Sequence, residues 1–441
     1  MTKNKYGLFT CIAMIVGVVI GSGIFFKSDN ILVATGGSIF LGVLVFFIAA
    51  ISIIFGSLTI AELASRNDKA GGIITYAEDC YNKSIACAFG WFHTFLYYPT
   101  LTAVISWVTG IYICILFNID GTLETQVLIG IGAAGVLYLT NLLSSRLGGL
   151  FQNASTIIKL IPLVLIGVLG LLFGSSEPLS FANRNTAESA SWIAAIIPIL
   201  FAFDGWIVST SISHEVKNAK KNVPLALIFS PLFILGIYVL YFVGISLLIG
   251  PENVISMGDA HVDLAANQLF GAFGAKLILV FVIISIMGTL NGLIMGLTRL
   301  PYALGIRNMF PYSHKVSIIN ERLGVPVISS VVTIFIVLFW IIAHYVTQKY
   351  NLLPNSDISE ISITINYVGY ILLYFQVFKY GLTGEMKGLW RTKINPILAT
   401  IGSVMILIVG MQNPLFWLYA LLCGLLILSA ILFWRRHEAH S

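Results

Sequence analysis

Charged residues are scarce in this sequence. Only 10% of its 441 residues are Asp, Glu, Lys or Arg, whereas 58% are hydrophobic and the mean hydropathy is +0.94. A soluble globule needs more polar surface than this composition supplies, so the chain is expected to lie in a membrane. At about 20 residues per spanning helix, the apolar content leaves no room for an appended catalytic or nucleic-acid-binding domain.

Cysteines and catalytic motifs are also few. The five cysteines include no C-x-x-C pair and the seven histidines do not cluster, which indicates neither a disulfide framework nor a metal site. His214-Glu215 begins the zinc-protease pattern H-E-x-x-H, but residue 218 is Asn. The sequence also lacks G-x-S-x-G and the P-loop, so it predicts a protein that is not an enzyme and needs no cofactor.

Long apolar runs make up most of the chain. Their length fits transmembrane helices, because a β-barrel would show short alternating strands and lipid does not tolerate open sheet edges. We therefore predict an all-α membrane protein. Twelve spans are expected, at residues 7–36, 38–64, 85–117, 125–144, 147–173, 190–213, 223–249, 271–306, 325–346, 358–380, 395–412 and 414–434.

The basic residues are distributed unevenly between the loops. With the N-terminus in the cytoplasm, 19 of the 24 Lys and Arg residues lie on the inner side. The positive-inside rule therefore favours an even number of spans, with both termini cytoplasmic in the cell (inner) membrane. No long linker interrupts the chain, so residues 1–441 are expected to form one transmembrane domain.

The first span contains a cluster of small residues. Gly21, Ser22 and Gly23 follow Gly17 in the run G-V-V-I-G-S-G-I-F. Each glycine costs about 1 kcal/mol in a helix interior relative to alanine, so the helix has little reason to stay continuous there. The alternative is that these glycines form a close helix-packing surface. The residues themselves favour neither interpretation.

The sixth span is interrupted in a similar way. Pro198 precedes F-A-F-D-G-W at residues 201–206, near the middle of the apolar run. Interrupted segments at matching positions of two five-helix halves are typical of a transporter substrate site. Because each half has an odd number of helices, the second half would have the opposite membrane topology to the first. The halves are expected at residues 1–173 and 190–380, with two further helices within residues 395–434.

Backbone electrostatics at two broken helices suit an amino acid zwitterion. A half-helix that begins at mid-membrane directs free N–H groups at a carboxylate, and one that ends there offers free carbonyls to an ammonium. The N–H donors expected at the carboxylate are those of Ser22, Gly23 and Ile24. The carbonyl acceptors expected at the amine are those of Ile20, Phe201, Ala202 and Phe203.

Lys159 is the one basic residue placed deep in a span. It lies 13 residues from Arg146 and 14 from Phe173, so roughly 20 Å of helix separates it from either membrane surface. An ammonium at that depth costs about 2.5 to 3.5 kcal/mol, which makes a functional role the default hypothesis. Lys159 is expected to donate hydrogen bonds to carbonyls of the broken first helix and to act in gating or coupling. The alternative is a fixed tie between spans.

Several other residues of the spans carry two interpretations each. Asp204 would bind a proton or an amine during coupling, or would cap a restarted half-helix. Phe201 would close over the substrate as an aromatic lid, or would only pack in the core. The candidate side-chain pocket is formed by Ser285, Thr289 and Tyr238, although such residues are also common at helix contacts.

Several motifs are similar to those of a known transporter family. They are G-S-G-I-F at 21–25, A-E-L at 61–63, A-G-G at 70–72, F-A-F-D-G-W at 201–206 and H-E-V-K-N-A-K-K-N-V-P at 214–224. The chain resembles the amino acid-polyamine-organocation superfamily over almost its whole length. Within it, the chain is most similar to the L-amino acid transporter branch and its bacterial alanine-serine-cysteine exchangers. The resemblance implies a LeuT-like fold of two inverted five-helix repeats plus two helices.

The same resemblance implies sodium-independent exchange of small neutral L-amino acids, such as alanine, serine and cysteine, by alternating access. It assigns residues 21–23 to carboxylate binding, Phe201 to gating and Lys159 to the place of a sodium ion. Residues 118–124 lack the cysteine that links animal relatives to a single-span partner, so no such partner is expected. A proton-coupled symporter and a non-transporting membrane receptor or scaffold are the alternatives. The sequence names neither the preferred substrate side chain nor the oligomeric state.

Overall fold

The architecture is helical throughout the part of the chain that the computed structural model describes, which is residues 5–21, 23–175, 196, 199, 202–258, 261–353, 357–411, 413 and 415–438. The only extended pairings there are two isolated bridges, Tyr6 with Val216 and Asn320 with Val325. Within these residues, nine helical runs are long and apolar enough to cross a membrane. The expected all-α membrane fold is confirmed, and the exact number of spans stays a prediction.

The helices of the first half follow the predicted apolar runs. They are α1 (Leu8–Val19), α2 (Gly23–Ala34), α3 (Ile39–Arg66), α4 (Ile73–Cys80), α5 (Lys83–Phe92), α6 (Tyr98–Phe117), α7 (Leu123–Leu143) and α8 (Ser145–Phe173). A π-helical turn, His93–Tyr97, joins α5 to α6, so residues 83–117 form one continuous run. The short helix α4 has no counterpart among the predicted spans.

The first helix with given bounds in the second half is the 3-10 helix Val208–Glu215, because the first part of the predicted sixth span, residues 190–201, lies outside the described residues apart from 196 and 199. It continues with α9 (Ala219–Ile249), α10 (Pro251–Met257), α11 (His261–Leu297), α12 (Leu300–Gly305), α13 (Ser313–Val316), α14 (Val327–Lys349), α15 (Glu360–Thr383), α16 (Asn395–Gly410) and α17 (Phe416–Glu438). Helix α11 is interrupted at Gly271, where φ is +70°. The predicted eighth span starts at that residue.

Polar side chains set several of the helix starts. Ser38 accepts a hydrogen bond from the amide of Leu41 at 3.2 Å, and Asn82 accepts one from the amide of Ile85 at 2.9 Å. Each bond satisfies one of the amides that lack an intrahelical acceptor in the first turn. Such caps separate consecutive spans even where the apolar sequence is almost continuous.

Glycines bring α8 and α9 into close contact. A Cβ atom on Gly170 would meet the backbone of Gly244, and one on Gly244 would meet the backbone of Gly167. Small residues at such positions let membrane helices approach closely and gain van der Waals contact that the hydrophobic effect does not provide in lipid. The contact holds α8, which carries Lys159, beside α9, which carries Tyr238.

Candidate functional site

The first span is interrupted at its glycine cluster. Helix α1 ends at Val19 and α2 begins at Gly23, and the backbone leaves helical geometry at Ile20, where ψ is 86°. The predicted interruption is therefore confirmed. Gly21 also packs closely, since a Cβ atom there would lie 3.1 Å from Thr289 Oγ1. Ser22 lies outside the described residues.

Lys159 is buried against the carboxyl end of α1. Its Nζ atom donates to the carbonyls of Gly17 at 2.7 Å, Ile20 at 2.6 Å and Ser285 at 3.0 Å, and the side chain has no exposed area. These bonds use all three N–H donors of the ammonium, so its buried charge is fully hydrogen-bonded. Two acceptors belong to the end of α1, where unpaired carbonyls and the helix dipole attract a cation. The expected contact between Lys159 and the broken helix is confirmed.

Two hydroxyl groups of α11 reach the same helix end. Thr289 Oγ1 donates to the carbonyl of Gly17 at 3.0 Å, and Ser285 Oγ lies 3.4 Å from the carbonyl of Ile20. Both side chains are buried. Both residues predicted to line a side-chain pocket therefore contact the backbone at the end of α1, and their place in a pocket stays a prediction.

Tyr238 connects the two interrupted spans. Its hydroxyl oxygen lies 3.0 Å from the carbonyl oxygen of Val19 and 2.7 Å from that of Ala202, and its single proton serves one of them at a time. Phe203 packs edge-on against the Tyr238 ring, with 5.0 Å between ring centroids. The third predicted pocket residue thus joins the carbonyl end of α1 to the sixth span.

The described part of the sixth span leaves helical geometry after Ala202. Residues 203–207 form turns, Gly205 has a φ of +91°, and the 3-10 helix begins at Val208. Its N-cap is Ile207, so Asp204 does not cap this helix, contrary to one of the two interpretations above. The Oδ2 atom of Asp204 instead accepts a hydrogen bond of 2.7 Å from the Tyr97 hydroxyl. Phe201 and Pro198 lie outside the described residues.

A chain of buried amide side chains lies beside Lys159, and the sequence reasoning missed it. Gln152 donates to the carbonyl of Ala13 in α1 at 3.2 Å, and its Oε1 atom accepts from Asn291 Nδ2 at 2.8 Å. Asn141 on α7 donates to Asn291 Oδ1 at 2.8 Å. Gln152 precedes Lys159 by seven residues, so both lie on one face of α8. That spacing is the signal in the sequence that points to this chain.

An ion-pair cluster joins the segment before α1 to the end of the 3-10 helix. Glu215 accepts from Arg299 Nε at 3.0 Å and lies 3.4 Å from Lys5 Nζ. Burial by itself would raise the pKa of Glu215, but the charges of Arg299 and Lys5 outweigh it and hold the pKa below its usual value. Among the described residues, no group of three or more His, Cys, Asp or Glu side chains is placed to hold a metal ion.

Comparison with known proteins identifies the family that carries this arrangement. Residues 6–436 match the amino acid permease family. The chain belongs to this family. The permease is 31% identical to the serine/threonine exchanger SteT of Bacillus subtilis over 412 residues, which cover 92% of the permease and 90% of the exchanger. The resemblance to amino acid transporters is confirmed, and the permease is a transporter rather than an enzyme.

Two mammalian relatives are also similar over most of the permease. The b(0,+)-type amino acid transporter 1 of Homo sapiens is 27% identical over 456 residues, which cover 98% of the permease and 87% of the relative. The large neutral amino acids transporter small subunit 2 of Oryctolagus cuniculus is 26% identical over 412 residues, with coverages of 88% and 70%. The family relationship therefore extends over both interrupted spans.

Proposed function

We propose that this permease exchanges small neutral L-amino acids, such as alanine, serine and cysteine, across the cell (inner) membrane without sodium. The observation that carries the proposal is the distance of 2.6 Å between Lys159 Nζ and the carbonyl oxygen of Ile20. A fixed ammonium lies at the carbonyl end of α1, where a bound cation would otherwise neutralise the helix dipole. A transporter with this built-in charge needs no sodium ion at that point.

The substrate carboxylate is assigned to the amino end of α2. The first N–H groups of a helix have no intrahelical acceptor, and α2 begins at Gly23 in the interruption of the first span. Together with the helix dipole, these groups form an anion site. The proposed donors are the amides of Ser22, Gly23 and Ile24.

The substrate amine is assigned to the carbonyls of Ile20 and residues 201–203. The Ile20 carbonyl already accepts from Lys159, and the Ala202 carbonyl lies 2.7 Å from the Tyr238 hydroxyl. A carbonyl oxygen has two lone pairs, so the Ala202 carbonyl has one left for an ammonium. The Ile20 carbonyl has one left when the Ser285 hydroxyl, 3.4 Å away, turns to the Gly21 carbonyl at 3.5 Å. Phe201 is proposed to close over the bound substrate, with Asp204 beside it in coupling.

Alternating access supplies the proposed mechanism. Two inverted five-helix repeats, followed by two further helices, would rock about the fixed site. We also propose twelve spans in the membrane, with both termini in the cytoplasm. Exchange is supported by the similarity to a protein named as a serine/threonine exchanger. No partner subunit is included in this proposal.

Purified permease in liposomes tests the proposal. Labelled alanine should enter only vesicles that contain a trapped amino acid, at equal rates in sodium and in choline, and without response to an imposed pH gradient. Uptake into empty vesicles on external acidification would show proton-coupled symport instead. Amino acid binding without any saturable uptake would show a receptor. Competition by all L-amino acids and their D forms would define the side-chain preference.

A further inference from the structure

An apolar groove lies beside the interrupted first span. It has a volume of about 500 Å³ and is bounded by α1, α8 and α9. Its one polar lining residue is Thr156, whose hydroxyl already donates to the carbonyl of Ala13 at 2.9 Å. Its rim residues are about half exposed in a chain that spans a membrane, namely Phe9, Ile157, Phe229, Leu232 and Phe233. The groove therefore offers a hydrocarbon chain contact on three sides and offers a polar ligand no free partner.

Basic side chains lie at the membrane surface where these helices begin. The Tyr6 hydroxyl donates to the carbonyl of Ser145 at 2.7 Å, and the Tyr6 carbonyl accepts from the amide of Lys217 at 2.9 Å. Tyr6 thus holds the start of α8 and the approach to α9 at one level. Arg146 directly follows Ser145, Lys221 follows Lys217 by four residues, and both basic side chains are exposed.

Both cations lie in register with the groove. Ile157 follows Arg146 by eleven residues, and Leu232 follows Lys221 by eleven residues. Eleven residues make slightly more than three helical turns, so each cation lies on nearly the same helix face as its groove residue. The rise over this distance is about 16 Å. That is the hydrocarbon depth of one leaflet, which is about half of 30 Å.

We propose that the groove, together with Arg146 and Lys221, binds an anionic phospholipid. One acyl chain lies between α1 and α9 in the groove, and the headgroup phosphate lies at Arg146 and Lys221. The positive charges of Arg146 and Lys221 favour an anionic headgroup over a zwitterionic one, by about fivefold for each charge. The bound chain contacts Ala13 and Val16 of α1, the half-helix whose carboxyl end is held by Lys159.

Native mass spectrometry of the purified permease tests the headgroup assignment. Phosphatidylglycerol should be retained at least tenfold more tightly than phosphatidylcholine of the same chain length. The double variant Arg146→Gln, Lys221→Gln should lose this preference. The control variant Lys220→Gln removes an exposed cation that lies about 100° around α9 from Lys221. This variant should keep the preference for phosphatidylglycerol. Equal retention of the two lipids, or equal loss in the Lys220 control, would overturn the assignment.

A second pair of variants tests the groove itself. Ile157→Trp fills the groove and leaves both cations in place, so retention of phosphatidylglycerol should fall at least tenfold. Leu165→Trp adds the same bulk at an exposed position of α8 outside the groove and should retain the lipid as the unaltered protein does. Unchanged retention in Ile157→Trp would leave surface charge as the only attraction and overturn the groove site. No amino acid is present in these titrations, so their outcome is independent of the proposed exchange.

Discussion

Replacing Lys159 with methionine isolates the contribution of its ammonium group, since methionine has a similar length and no donor. The change removes three hydrogen bonds of 2.6, 2.7 and 3.0 Å. A hydrogen bond from a charged group contributes about 1.5–3 kcal/mol, so about 4–9 kcal/mol of interaction is lost. The variant also avoids the insertion penalty of an ammonium, about 2.5–3.5 kcal/mol. The net loss is therefore a few kcal/mol at the carboxyl end of α1.

This loss should appear in exchange more strongly than in folding. The lost bonds hold one end of the interrupted helix, whereas the remaining contacts of α8 with α9 and α11 are unchanged. Because 1.4 kcal/mol corresponds to a tenfold change in rate, a loss of about 2 kcal/mol at the site predicts exchange roughly 30-fold slower.

The assay is counter-transport of labelled alanine into preloaded liposomes, with the melting temperature of each variant recorded in detergent. Lys276→Met is the matched control, because it makes the same chemical change at an exposed lysine of α11. Exchange within twofold of the unaltered protein in a folded Lys159→Met variant would refute the role assigned to the ammonium.

Three further substitutions test other contacts. Tyr238→Phe removes the hydroxyl between Val19 and Ala202, so kcat/KM for alanine exchange should fall about two- to tenfold at a nearly constant melting temperature; full activity would contradict the proposed link. Gly17→Ala places a Cβ atom against Gln152 and Thr156 and should lower the free energy of unfolding by about 1–3 kcal/mol, whereas Gly132→Ala faces open space and should not. Burial lowers the pKa of His214 from 6.5 to about 4, so the folded state keeps the imidazole neutral while the unfolded chain takes up a proton first. This stabilisation is complete above pH 6.5 and is lost as the pH falls toward 4, by at most about 3 kcal/mol. The melting temperature should therefore decline between about pH 6.5 and pH 5, and an equal decline in His214→Gln would contradict this explanation.

The apolar runs predicted most helices to within a few residues. The third predicted span, 85–117, corresponds to the run at 83–117, and the fifth, 147–173, to Ser145–Phe173. Lipid forces every backbone polar group into an internal hydrogen bond, so a long apolar run has one available structure. The short helices α4, α10 and α13 were not predicted, because helices of this length leave no long apolar run in the sequence.

The site was predictable only in part. The depth of Lys159 in its span was enough to predict a contact with the broken helix, because a buried ammonium must find acceptors and unpaired carbonyls were expected there. The Ser285 carbonyl was not predictable as the third acceptor. It lies within α11, where nothing in the sequence distinguishes one backbone carbonyl from the next. The ion pair of Glu215 was not predictable either, because the sequence shows Glu215 only as part of an incomplete zinc-protease motif and its partner Arg299 is 84 residues away.

The sequence by itself determined that this chain crosses a membrane as helices, because hydropathy acts over neighbouring residues. Its glycine cluster at residues 21–23 made a break in the first helix one of two interpretations, and the interruption of the sixth span favoured the break. Tertiary structure alone decided which groups satisfy the exposed carbonyls. Lys159, Tyr238 and Thr289 reach α1 from 142, 219 and 272 residues away. Their arrival depends on how α8, α9 and α11 are rotated about their own axes, and that rotation is set by packing between helices, such as the glycine contact of α8 with α9.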